Sequence, residues 1–185
     1  MSKQHSGIDE GIRAFIERQH LFFVATAPSD DTGHINLSPK GLESLRILGP
    51  REVAYLDSVG SGAETVAHLR SNGRITLMFC AFDGPPNIVR LYGAGEVIEP
   101  QDPPFALLRG LFPPTPGVRA IIRVRVHRVA DSCGFGVPMF DYRGQRTQLT
   151  AWAERKGEDA LRDYQRQKNT TSIDGLPALR WTTSD

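Results

Sequence analysis

Hydroxyl-bearing and small residues crowd one short stretch, Tyr55–Leu69 (YLDSVGSGAETVAHL), where an apolar run gives way to a helical pattern. Ser58, Ser61 and Thr65 supply hydroxyl donors there, and Gly60 and Gly62 let another molecule come close to the backbone. A helix beginning near Gly62–Glu64 adds unpaired N–H groups and the positive end of its dipole. Those features together make a seat for an anion such as a phosphate. The same residues also make an ordinary strand-to-helix turn, and the segment alone supports both readings. Glu64 opposes an anion at that spot unless its side chain turns away.

Three other places carry residues with chemistry. Lys40 stands between Pro39 and Gly41 in HINLSPKG, His34–Gly41. A lone lysine at a strand end is ordinarily solvated, and it matters only if the fold sets it beside the Ser58–Thr65 turn. Cys133 and Gly134 lie in the glycine-rich DSCGFGVP, Asp131–Pro138. With no histidine close by in sequence, Cys133 reads as a tight contact to a ligand or a neighbouring subunit more readily than as a nucleophile. The five histidines, at positions 5, 20, 34, 68 and 127, show no metal-ligand spacing. Gly93-Ala94-Gly95 is no dinucleotide fingerprint, because it lies within a strand pattern and position 98 is isoleucine.

The elements that must hold these residues are mostly strands. Leu21–Ala27, His34–Ser38, Val53–Asp57, Ile75–Phe82, Ile88–Glu99 and Val118–Val129 each show short apolar runs or period-two alternation. In the last of them Ala120, Ile122, Val124 and Val126 share one face, and Arg123, Arg125 and His127 the other. Helical spacing marks a first helix through Ile8, Ile12, Phe15 and Ile16, opened by Ser6-x-x-Asp9. It marks a second at Glu64–Ser71, stopped by Asn72-Gly73, a short one at Phe105–Phe112, and an amphipathic one at Thr150–Gln167. Hairpin connections outnumber strand–helix alternation, so the pattern predicts an antiparallel barrel, closed or partly closed, with peripheral helices. Gly93 and Gly95 suit a bend in such a barrel.

Composition sets the outer bounds. The 185 residues fit one domain, spanning 1–185, and a formal net charge of +1 gives no electrostatic case for nucleic acid or an anionic membrane. Two cysteines far apart form no disulfide framework and no C-x-x-C pair. MSKQHSGIDE lacks an apolar signal core, so a cytoplasmic location is the expectation.

NLSPKG (Asn36–Gly41), VAYLDSVGSGAETVAHLRSNGRITLMF (Val53–Phe79) and VRLYGAGEVIEP (Val89–Pro100), in this order, resemble the pyridoxamine 5′-phosphate oxidase-related family of FMN-binding split barrels. The resemblance covers most of residues 8 to 130. It implies a six-stranded antiparallel split β-barrel and a homodimer with FMN in grooves between subunits. Carried onto this sequence, it assigns the turn to the FMN phosphate and ribityl chain, with Ser58, Ser61, Gly62 and Thr65 as contacts. Tyr55, Leu56 and Asp57 would lie along the flavin edge, with Lys40 and Arg74 as cations near the phosphate. Cys133, Gly134 and Phe135, with Trp152, would be contributions from the second subunit, and residues 150–185 a helix and tail packing on the barrel or the partner.

The implied activity is hydride transfer through the flavin, with NAD(P)H or a small organic molecule as substrate. Two departures argue against oxidation of pyridoxamine phosphate itself. The basic pair that follows the turn's serine in the authentic oxidases is replaced by Gly62-Ala63, and the tail GLPALRWTTSD lacks their arginine-containing closing motif. A flavin carrier without turnover, or a relative binding the deazaflavin F420 or haem, stays open beside the oxidoreductase. Haem would call for an axial histidine such as His34, His68 or His127.

Overall fold

A computed structural model describes residues 3–181. The element order is β1 (Lys3–His5), α1 (Glu10–Arg18), β2 (Phe22–Thr26), β3 (Asn36–Lys40), β4 (Leu45–Gly49), β5 (Glu52–Ser58), α2 (Glu64–Asn72), β6 (Arg74–Cys80), β7 (Ile88–Ile98), α3 (Phe105–Arg109), β8 (Val118–Ser132) and α4 (Gln148–Lys168). All strand pairs are antiparallel, in the order β3-β2-β6-β7-β8-β5-β4, with β1 added along β8. The class is the expected antiparallel split barrel, with eight strands instead of six. The two additional strands are β1 and β4.

Alternation explains how the sheet curls around a core. On β8, Ala120, Ile122, Val124 and Val126 are all buried and join Val24, Tyr55, Leu77, Phe79 and Leu91 in one apolar cluster. Ile121, on the other face of β8, packs with Ala54, Leu56, Ile98 and Leu108 of a second cluster beneath α3. At Gly93 the β7–β8 register shifts, and an added Cβ would stand 2.5 Å from the Arg125 carbonyl oxygen. Glycine is what allows the two backbones to come that close.

Helix boundaries follow local chemistry. Asp9 caps α1, its carboxylate accepting from the Ile12 N–H at 2.8 Å. Gly73, at φ 71°, ends α2 in the left-handed conformation. In α4 the helical pattern is broken by Gly157, at φ 74°. Its first half packs Ala153 and Trp152 against Val59 and Leu161, and Trp152 meets Tyr164 edge to face at 5.2 Å. Trp152 therefore packs on its own chain.

The barrel is open along one line. The hydrogen-bonded path ends at β3 on one side and β4 on the other, and among the described residues no ladder joins them. The chain crosses that gap through the Gly41–Ser44 connection, in which Leu42 and Glu43 adopt φ of 59° and 52°. Two successive non-glycine residues in the left-handed region are an uncommon, strained arrangement.

Candidate functional site

The Ser58–Glu64 turn sits at this split. β5 leaves the sheet through a register shift between Asp57 and Ser58, and the chain then loops to α2. Bulges re-aim side chains where a ladder ends. A cleft of about 460 Å³ opens there, lined by Ser38–Leu42 and Ser44, by Leu56 and Ser58–Gly62, and by Glu64, Thr115, Arg119 and Leu149. That volume lies in the range of small-molecule sites.

The loop presents donors with nothing to satisfy them. Ala63 stands at the N-cap of α2 and offers no side-chain acceptor. Among the described residues, the N–H groups from Gly60 to Glu64 and the Ser58 and Ser61 hydroxyls have no protein partner. The Ser44 hydroxyl, on the cleft wall, is buried and likewise unpartnered. Thr65 is differently placed: it is buried, and its Oγ1 accepts from Asn36 Nδ2 at 3.0 Å. Its role is to tie β3 to the start of α2.

Charge at the cleft is balanced internally. Asp57 is fully buried, and its two oxygens accept from Lys40 Nζ at 3.0 Å and Arg119 Nε at 2.8 Å. Burial alone would raise this carboxyl, but Arg119 and then Lys40 outweigh it and hold the pKa at about 2. Lys40 belongs to β3, Asp57 to β5 and Arg119 to β8, so one carboxylate ties strands together across the open line. Lys40 Nζ also lies 6.0 Å from the Tyr55 ring centre. Tyr55 and Leu56 are buried, and the Tyr55 hydroxyl is enclosed without a partner, its pKa pushed up by burial and by the Asp57 charge. The Glu64 carboxylate does not turn away from the loop: it folds back against Gly62 on the cleft wall, a negative charge beside the loop's amides, and accepts from the Ile173 N–H at 3.2 Å.

A family model described as pyridoxamine 5′-phosphate oxidase matches residues 8–133, which takes in β2 to β8 and all of the cleft lining but Leu149. The chain belongs to this family. The pyridoxamine 5′-phosphate oxidase family protein ustO of Aspergillus flavus is 43% identical over 194 residues, covering 95% of this chain and 77% of that protein. Two solved structures share the family fold at low identity. HupZ of Group A Streptococcus aligns with a TM-score of 0.51 and 21% identity over 66% of this chain and 91% of that one. A Clostridium acetobutylicum protein related to general stress protein 26, of the pyridoxinephosphate oxidase family, aligns with a TM-score of 0.51 and 14% identity over 65% and 84%.

Within one chain, the fold sets Lys40, Leu56, Ser58, Ser61 and Gly62 on the cleft wall with Asp57 bound behind it, buries Tyr55 and Thr65 off the wall, and leaves Arg74, Cys133 and Gly134 elsewhere. Arg74 follows the far end of α2, a nine-residue helix roughly 13 Å long. Its guanidinium donates to the Pro28 carbonyl at 3.2 Å and borders a different hollow. Cys133 is exposed, and Gly134 is pressed on Asn87, both in the excursion after β8. Two residues absent from the expected set turn out to be central. Arg119 is 5% exposed and joins Asp57 to the Gly62 carbonyl, to which its Nη1 donates at 2.7 Å. Asn169, fully buried, reaches the same loop from behind. Arg119 lies 62 residues from Asp57, and no local pattern marks such a pairing.

None of the three histidines named for haem opens into the cleft. His34 is bound to Asp174 at 2.6 Å, His68 is buried on Thr26 at 3.0 Å, and His127 borders the hollow near Arg74. Among the described residues no group of three metal-ligating side chains occurs, and no helix is long and apolar enough to cross a membrane.

Proposed function

We propose that this protein is an FMN-binding flavoprotein and an oxidoreductase, acting as a homodimer with the flavin at the subunit interface. One observation carries the reading. The N–H groups of Gly60–Glu64 and the hydroxyls of Ser58 and Ser61, all without protein partners, border a cleft of ligand size in a barrel of this family. Amides at a helix start suit a compact terminal phosphate. Lys40 and Arg119, the cations of the described cleft lining, are both committed to Asp57, which favours a compact phosphate over the long acidic tail of F420.

Bound FMN would supply hydride transfer, with NAD(P)H or a small organic molecule as the other substrate. The chain's own groups bind and orient. Asp57 stays ionised and keeps Lys40 and Arg119 in place, and the enclosed Tyr55 stays protonated. Arg180 grips Asp102 at 2.6 Å, away from the cleft, so it offers no hold on a vitamin phosphate, and pyridoxamine phosphate is not the proposed substrate. The dimer reading is supported by an exposed apolar group on the excursion after β8, with Phe135 82%, Met139 77% and Phe140 61% exposed. Cys133 and Gly134 lie on that same excursion and would reach a partner's cleft from there.

Native mass spectrometry of the purified protein tests the reading in one step. The expected species is two chains with two FMN, and the solution is yellow. Anaerobic addition of NADH or NADPH should bleach it; persistent colour would favour a carrier without turnover. A colourless protein that takes up no FMN from excess would end the flavin assignment.

A further inference from the structure

We propose that Asn169, at the C-terminal end of α4, is a positioning residue that aims the amides of the Ser58–Glu64 loop at the cofactor's phosphate. The inference rests on the flavin reading above and identifies what prepares that site. Asn169 Nδ2 donates to the Gly60 carbonyl at 2.9 Å and, more weakly, to the Gly62 carbonyl at 3.4 Å. In a trans peptide the C=O and the N–H point in opposite directions, and no cis peptide occurs among the described residues. Drawing the Gly60 oxygen toward α4 therefore turns the Ser61 N–H away from Asn169. The Gly62 oxygen, held also by Arg119, does the same for the Ala63 N–H. Neither N–H has an acceptor among the described residues, and Ser61, with Gly62 and Glu64 on either side of Ala63, lines the cleft.

The orientation of the amide group is set by its neighbours. Both loop atoms are acceptors, so the NH2 end must face them, and Oδ1 is left buried without a partner. Tolerating that cost suggests that the hold on the loop matters. Asn169 is itself fixed at the end of α4, where its N–H donates to the Gln165 carbonyl at 2.8 Å and its carbonyl accepts from the Leu179 N–H at 3.2 Å. The residue lies outside the stretch 8–133 matched to the family, so the device belongs to the C-terminal segment of this chain.

FMN and riboflavin differ only by the phosphate, which makes their affinities a direct readout. Full-length protein freed of flavin is titrated with each, following quenching of flavin fluorescence. In Asn169→Ala, FMN should bind about tenfold or more weakly, roughly the worth of one charge-assisted hydrogen bond, with riboflavin within about twofold of wild type. Equal losses for both flavins would mean general damage to the fold, and unchanged FMN affinity would mean no positioning role; either overturns the proposal. Asn169→Ser, too short to reach Gly60, should give the same selective loss and serves if the alanine variant does not fold. A wild-type protein that binds both flavins equally would sink this inference and leave the flavin reading standing. One that binds neither would sink the flavin reading itself.

Discussion

Among the described residues two carboxylates are fully buried, Asp57 and Glu99, and each is met by two cations. Their surroundings differ in kind. Asp57 meets only side chains, Lys40 and Arg119, which come from strands on either side of the open line in the barrel. Glu99 accepts from Arg70 and Gln101 side chains and also from the backbone N–H groups of Arg180 and Trp181 at 3.1 Å. The first closes a gap between strands at the cleft. The second clamps a tail at Arg180 and Trp181, with Ala178 and Leu179 buried beneath it. A buried carboxylate can thus neutralise a ligand site or fasten a segment, and the identity of its donors tells which.

Removing the Asp57 carboxylate should have the largest effect. Asp57→Ala leaves Lys40 and Arg119 facing each other in a buried space. Breaking one side of a buried ion pair costs about 3–5 kcal/mol. Chemical denaturation should show that loss, and a change below about 1 kcal/mol would mean that water already screens the pair. Glu99→Gln should cost less, about 1–3 kcal/mol, because the amide oxygen still accepts from the tail's N–H groups. The two sites also separate by ligand. Glu99→Gln should leave the preference for FMN over riboflavin unchanged, since the amide oxygen still holds the Arg180 N–H beside Leu179, whose own N–H steadies Asn169. A changed preference would merge the two regions into one unit.

Acid offers a milder probe of the same contrast. The Asp57 carboxyl has a folded pKa of about 2 against an ordinary value of 3.8. The native state therefore binds this proton more weakly than the unfolded state does. The stabilisation, about 2 kcal/mol, is fully present above pH 4 and lost as pH falls from about 4 toward 2. In Asp57→Asn that portion of the acid dependence should vanish. A wild-type acid profile identical to that of Asp57→Asn would show that the pair does not govern it.

The sequence made most of the barrel legible because most strands alternate. β2, β6, β7 and the middle of β8 bury every second residue, β5 reads as an apolar run buried on both faces, and α2 carries its stop signal in Asn72-Gly73. β4 escaped notice for a physical reason: all five residues of LRILG are half-buried, so no face stands out. β1 is three polar residues whose only claim to strand structure is its pairing with β8. At the cleft, the run Ser58–Thr65 announced itself through composition. What composition could not announce was that Asp57 would claim the cations. The Lys40–Asp57 and Asp57–Arg119 pairs span 17 and 62 residues, and the Asn169 contact with Gly60 spans 109. Such pairings come from how the sheet closes, which local periodicity does not encode.

The smallest expected effect concerns Arg74, and it is the one that most sharpens the picture of the cleft. A cation was expected near the phosphate because Arg74 follows α2 closely in sequence. In the fold, α2 stands between them: its start faces the cleft and its end leads into Arg74. The guanidinium instead steadies the Pro28 carbonyl at 3.2 Å and borders a hollow that shares no residue with the Ser58–Gly62 cleft. Screening over more than a Debye length, about 8–10 Å, leaves little of its field at the loop. Arg74→Ala should therefore keep FMN affinity within about twofold of wild type in a fluorescence titration. A loss of tenfold or more would mean that the second copy of the chain, and not the first, brings its Arg74 to the site. In that case the phosphate would be held by charge across the dimer, and the amide loop would be the secondary contact.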